Sequence, residues 1–226
     1  AAFFPNARFM SDPGQMVGAL AGAAWALGAR HLRARVERIE RTAGGIRITG
    51  PGLALVARRV VIAAGAHSRG LARQAGDRVP LETERGYHLE YDMETSRLTR
   101  PVCPTSRGFY FCPMAGRLRV AGTVELGGLT APPSPHRLEV LDRGARALMP
   151  DLPGPARTWM GFRPSMPDSL PVIGPSAAGD DVLHAYGHGH IGLTLAPATA
   201  EIIAALVAGR APHLDIGAYG AGRFHG

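Results

Sequence analysis

Close to the C-terminal end the chain reads "DVLHAYGHGHIGLTLAPATAEIIAALVAGR", residues 181–210. No other stretch restricts the fold as much. An apolar strand, Val182 to Tyr186, empties into the glycine loop Gly187 to Gly192. Ile202, Ile203, Leu206 and Val207 then line one face of a helix that Gly209 closes. Thr194 suits the N-cap, and Pro197 falls in the expected first turn, where a missing N–H costs nothing. A strand that feeds straight into a helix belongs to a sheet with helices packed on it, which selects an α/β arrangement. The loop satisfies G-x-G-x-x-G, so a ligand can approach bare backbone, and the helix start offers unpaired N–H groups and partial positive charge. That fingerprint serves a pyrophosphate when it opens a βαβ unit, and too little sequence follows here for the next strand. The expectation is that this helix start faces some other electron-rich group.

A second strand–turn–helix segment is "RRVVIAAGAHSRGLARQAG". Val60 to Ala63 is a continuous apolar run, expected to be buried on both faces. Gly65 breaks it and Ser68 starts a short helix; a strand ending in small residues lets a ligand or another backbone come close. Earlier, Asp12-Pro13-Gly14-Gln15 opens a helix with a cap, a first-turn proline and a capping-box partner. Met16, Val17, Leu20, Ala24 and Leu27 form its apolar face, and Gly28 ends it. "HLRARVERIER", "TAGG" and "IRITG" read as strand, turn and hairpin partner, followed by a strand over 53–57.

From Val79 the texture changes. "ETERGYHLEYDM" alternates, "RGFYFCP-MAG-RLRVAGTVELGG" reads as a hairpin, and "SPHRLEVLDRGARALMP" is a helix capped by Ser134 and stopped by Pro150. An antiparallel sheet with one covering helix is therefore expected over 79–158. It is set into a first domain made of 1–78 and 159–226. The fold class is α/β with an α+β part.

With 226 residues, 46% hydrophobic and 19% charged, the chain can build one large or two small cores. No run of about 18 apolar residues is present, so no membrane span is expected. "AAFFPNARFM" lacks the basic and apolar regions of a signal peptide. Two cysteines make no disulfide framework, and a cytoplasmic setting is expected, with peripheral association at the inner face of a membrane left open. The +7 charge comes entirely from arginine, spread along the chain and interleaved with glutamate, so no nucleic-acid partner is expected. Cys103, Cys112, His188 and His190 lack metal-ligand spacing, and no metal is expected.

"MGFRPSMPDSLPVIG", residues 160–174, holds one arginine, Arg163, in a segment too rich in proline for a helix or a central strand. Prolines stiffen this expected loop, so less entropy is lost on binding. A guanidinium fixed in this way matches a planar carboxylate through two parallel hydrogen bonds. The structural alternative is an arginine that bridges loop carbonyls.

Taken together and in order, "VVIAAGAHSRGLA", "GYHLEY" with "RGFYFCPMAGRLRVAGTVELGG", "GFRPSMPDSLPVIG" and "GHGHIGLTLAPATAEIIAALVAG" resemble the C-terminal part of the FAD-dependent D-amino-acid oxidase and dehydrogenase family, the DAO-type amine oxidoreductases. The resemblance runs from about Phe4 onward. It implies a partial FAD-binding Rossmann-like domain and an antiparallel substrate domain. Arg163 matches the arginine that grips the substrate carboxylate. Tyr110 matches a tyrosine placed over that carboxylate, against the plainer reading of a packing residue. Met114 stands where some relatives carry a second tyrosine, and its thioether cannot donate that hydrogen bond. For FAD, the resemblance puts the Val36 backbone at the adenine end and Ala64 and Gly65 near the diphosphate. Gly189, His190, Ile191, Gly192, Leu193 and Thr194 surround the flavin and ribityl chain, with His190 also at the substrate.

The implied reaction is hydride transfer from the Cα of an amino acid, a D-amino acid first, to FAD, giving an imine that water hydrolyses to keto acid and ammonia. Sarcosine, glycine, an imino acid or an amine on a modified tRNA base are alternative substrates, and a non-catalytic subunit that kept the fold is the alternative from another class. The family's own dinucleotide fingerprint precedes anything in this sequence. A missing N-terminal half or a second chain is therefore the expected partner, and these residues alone are not expected to hold FAD tightly.

Overall fold

The computed structural model describes residues 2–224. In chain order the elements are α1 (Pro13–Ala26), β1 (Arg38–Thr42), β2 (Gly45–Gly50), β3 (Leu53–Ala57), β4 (Val60–Ile62), α2 (Ser68–Ala75), β5 (Glu82–Asp92), β6 (Phe109–Met114), β7 (Arg117–Leu126), α3 (Pro135–Arg146), β8 (Arg157–Ser165), β9 (Val172–Ser176), β10 (Gly179–Tyr186) and α4 (Gly192–Val207). The fold is α/β, with three sheets ordered β1-β2-β3, β4-β10-β9 and β6-β7-β5-β8. Among the described residues no helix is long and apolar enough to cross a membrane.

The chain divides into two compact units. Unit 1 comprises Ala1–Leu32, Arg85–Glu125 and Pro132–Gly161; unit 2 comprises Arg33–Glu84, Leu126–Ala131 and Phe162–Gly226. Against the expected segments 1–78, 79–158 and 159–226, the first 32 residues group with the sheet of unit 1. The ties are specific: Ala115 N donates to Ser11 O at 3.1 Å, Arg117 Nη2 lies 3.5 Å from Asp12 Oδ2, and Arg100 Nη1 donates to Pro5 O at 3.1 Å.

In unit 1, β6 and β7 pair antiparallel from Phe109↔Gly122 to Met114↔Arg117, so Ala115 and Gly116 make the turn, Gly116 at φ +69°. Alternation sends Tyr87, Leu89, Tyr91, Phe109, Phe111, Leu118 and Val120 to one face, where Leu141 and Ala145 of α3 close the core. Burying a leucine as completely as Leu118 or Leu141 contributes about 2 kcal/mol. Helix α1 forms as its cap predicts, with Gln15 N donating to Asp12 Oδ1 at 2.9 Å. Its apolar face has no buried residue, and Leu27 is 90% exposed.

In unit 2, three sequence expectations need correction. The first strand starts only at Arg38, because residues 35–37 pass the end of the hairpin at Gly50. A Cβ on Gly50 would sit 1.8 Å from Arg35 O, so that glycine is what lets the two backbones pass. Strand β4 is not buried on both faces: Val61 is 38% exposed, since it lines the open cavity beside β4. Helix α4 begins at Gly192, with Ile191 at the cap, so Thr194 lies inside the helix. Pro197 is then interior, and the Leu193 carbonyl lacks its i+4 donor at the exposed helix start.

Candidate cofactor and substrate site

Strands β4 and β10 are parallel, paired Val60↔Val182, Val61↔Leu183 and Ile62↔His184. Both chains therefore leave the sheet at the same carboxyl edge, Ala63 to Gly65 beside Gly187. In open α/β sheets that edge is where ligands bind. Bare backbone is concentrated there: Gly65, Gly187 and Gly189 have φ of +54°, +86° and +54°. A side chain at Gly187 would also drive its Cβ to 2.9 Å from Met166 Cγ. Beside β4 opens a cavity of about 1050 Å³, whose lining includes Val36, Ile62, Ala64, His67, Leu71 and Gln74.

The arginine segment reaches the glycine loop directly. Gly189 N donates to Pro164 O at 2.8 Å, and the half-buried Arg163 is the residue before Pro164. Next along, Ser165 Oγ is buried with no hydrogen-bond partner, 3.8 Å from where a Cβ on Gly189 would stand. Burial pulls the Arg163 pKa down while the carboxylate of Glu84 opposes it. Glu84 Oε2 in turn lies 3.1 Å from His190 Nε2. His188, the other loop histidine, shares a 3.0 Å hydrogen bond between its Nε2 and Thr199 Oγ1 of α4, and burial lowers its pKa.

The residues read from the sequence thus fall into groups. Val36 and Ala64 line the cavity, with Gly65 one residue on. Gly189, His190, Ile191, Gly192, Leu193 and Thr194 form the loop and the exposed first turn of α4, tied to the Arg163 segment. All of these belong to unit 2. Tyr110 and Met114 belong to unit 1, on one face of β6. Tyr110 is 56% exposed, and a hydrogen bond with Cys103 raises its phenol pKa. Met114 is buried.

Sequence reasoning missed Glu84 and Ser165. The alternation of β5 puts Glu84 on the face of His88 and Glu90, but nothing local signals that its partners stand at 163 and 190. The Ser165 hydroxyl is conspicuous only once it is seen buried and unsatisfied. Among the described residues no group of three or more His, Cys, Asp or Glu side chains converges as a metal site would.

The family model described as FAD dependent oxidoreductase, DAO, matches residues 1–206. The chain belongs to this family. Within it, the chain is 37% identical over 226 residues to D-amino-acid oxidase of Bradyrhizobium diazoefficiens, with 94% of this chain and 52% of that protein covered. It is 34% identical over 164 residues to glycine oxidase of Pseudomonas aeruginosa, covering 71% of this chain and 44% of that protein. Its fold superposes on the crystal structure of glycine oxidase from Geobacillus kaustophilus with a TM-score of 0.86 and 25% identity, over 93% of this chain and 58% of that one. The DAO chain thus spans about half the length of the curated relatives it matches.

FAD is the cofactor of the DAO family, and the residues present fit it. The cavity at Val36 and Ala64 has room beside β4, the carboxyl edge offers backbone that only glycine leaves bare, and Ser165 holds a buried hydroxyl in need of a partner. Val36, Ala64 and Gly65 would hold one end, and Gly189 to Thr194, with the start of α4, the other.

Proposed function

We propose that this chain forms the substrate-binding and part of the cofactor-binding portion of an FAD-dependent enzyme that oxidises the C–N bond of an amino acid, a D-amino acid first. In this reading unit 2 holds the cofactor and unit 1 carries the substrate sheet, with the remaining dinucleotide-binding part supplied by another segment or chain. The observation that carries it is the place of Arg163: it is half-buried, and the carbonyl of its neighbour Pro164 accepts from Gly189 N of the glycine loop. A positive plane held at a glycine-lined strand edge is suited to a small carboxylate. FAD, when bound, supplies the acceptor for the two electrons and hydrogen released from Cα. Arg163 orients the acid. No side-chain base is needed at Cα, whose hydrogen leaves with its electron pair; an amine that arrives as the ammonium first gives up one proton.

Glycine is the second substrate reading, favoured by the similarity to proteins named glycine oxidase. The test is Arg163→Gln in the flavin-loaded protein that includes the remaining dinucleotide-binding part. Losing a bidentate charged contact is expected to weaken D-alanine or glycine by about 100-fold. Unchanged affinity for both takes Arg163 out of the site and the reading with it.

A further inference from the structure

An arginine alone would hold any small acid. This site contains a second charge. Glu84, the third residue of β5, lies 3.1 Å from His190 of the glycine loop, and the adjacent Gly189 N donates at 2.8 Å to the carbonyl of Pro164, the residue after Arg163. Glu84, Arg163 and His190 all belong to unit 2. A fixed carboxylate beside a cationic anchor repels a bare anion that the anchor would otherwise attract. The same carboxylate favours a zwitterion, because an α-ammonium stands one carbon away from the acid group and meets the negative charge. Arg163 and Glu84 together present the charge pattern of an α-amino acid in reverse.

On the amino-acid reading above, we propose that Glu84 is a specificity-determining residue that receives the substrate's amino group, while His190 holds the Glu84 carboxylate in position. The arrangement selects the amine over hydroxy and keto acids of equal size. It also disfavours the keto acid left after oxidation and imine hydrolysis, which has lost the nitrogen that Glu84 attracts.

The test uses matched pairs, D-alanine with D-lactate and glycine with glycolate, on the flavin-loaded protein that includes the remaining dinucleotide-binding part. Amino-acid affinity is read from saturation of anaerobic flavin reduction, and hydroxy-acid affinity from the change in flavin absorbance. Glu84→Gln is expected to weaken the amino acid about tenfold or more and to tighten the hydroxy acid a few-fold. Glu84→Asp, which keeps the charge, is expected to retain most of the amine preference, and serves if the glutamine variant folds poorly. Equal changes for both members of a pair, or no change in either, overturn the assignment and leave the Arg163 reading standing. Failure of the wild-type protein to bind any of the four removes the amino-acid reading and Glu84 with it.

Discussion

His184 Nε2 lies 2.8 Å from Asp77 Oδ2, and both side chains are sealed from solvent. The pair ties β10 to the segment after α2, across 107 residues of sequence. Burial pulls the imidazole pKa down despite Asp77. For Asp77 burial pushes up, but hydrogen bonds with Ser176, His184 and Ala177 together hold the carboxyl below its usual range.

A folded state that keeps histidines neutral loses stability in mild acid, because the unfolded chain takes up protons first. His88 in unit 1 behaves as His184 does in unit 2: burial, then Arg119, lower its pKa to about 4. Between about pH 6.5 and 4 the unfolded His88 is protonated and the folded one is not, which removes up to about 3 kcal/mol as the pH falls. The urea midpoint is expected to drop between pH 7.5 and 4.5, with a shallower drop in His88→Gln. A midpoint flat across that range contradicts the assignment.

Glu90 carries the second prediction. Its Oε1 accepts from Arg119 Nε at 3.0 Å and Nη2 at 2.7 Å, and its Oε2 accepts from Arg157 Nε at 2.9 Å and lies 3.0 Å from Arg117 Nε. Burial pushes the carboxyl up, but the three guanidiniums win and hold it at about 2. Glu90→Gln leaves three cations without their shared anion and is expected to cost about 3 kcal/mol. Denaturation followed by the fluorescence of Trp159, which stacks on His88 with centroids 5.0 Å apart, measures it. The folded carboxyl ionises below its unfolded value. The gap between variant and wild type should therefore be full above about pH 4.5 and close as the pH falls toward 2. A loss under about 1 kcal/mol at neutral pH refutes the network's role.

Two helical glycines should respond with opposite sign. At Gly144 of α3 a Cβ would meet Phe109 Cε1 at 2.7 Å, a buried ring held edge-to-face against Phe111. Gly144→Ala is expected to lower the melting temperature, since overpacking by about 1–3 kcal/mol outweighs the gain in helix propensity. At Gly22 of α1 a Cβ meets nothing within 4 Å, so Gly22→Ala is expected to stabilise by about 0.5–1 kcal/mol. Calorimetry on both variants checks the pair, and equal signs would count against the packing at Phe109.

Much of the architecture was readable in order along the chain. The Asp12 cap, the turn between β6 and β7, the helix after Ser134 and the strand–glycine–helix at 182–207 each depend on residues within a turn or two of one another. The Arg163 segment reads as a proline-stiffened loop, yet Arg163 and Pro164 lie at the end of strand β8. Val61 was not readable either: its apolar run looks like that of a buried strand, and only the tertiary structure shows it lining a cavity. The start of α4 was misplaced because Gly192, not the better capping residue Thr194, is where the loop geometry lets the helix begin.

The sequence by itself determined the periodicities and the turns, since these follow from sterics and hydrogen bonds between near neighbours. Only the tertiary structure decided which polar side chains meet: Glu84 with His190, Glu90 with three arginines, His184 with Asp77. Those partners come from strands and loops far apart in the chain. The distance that makes an ion pair or a buried hydrogen bond exists only after strand register has brought them together.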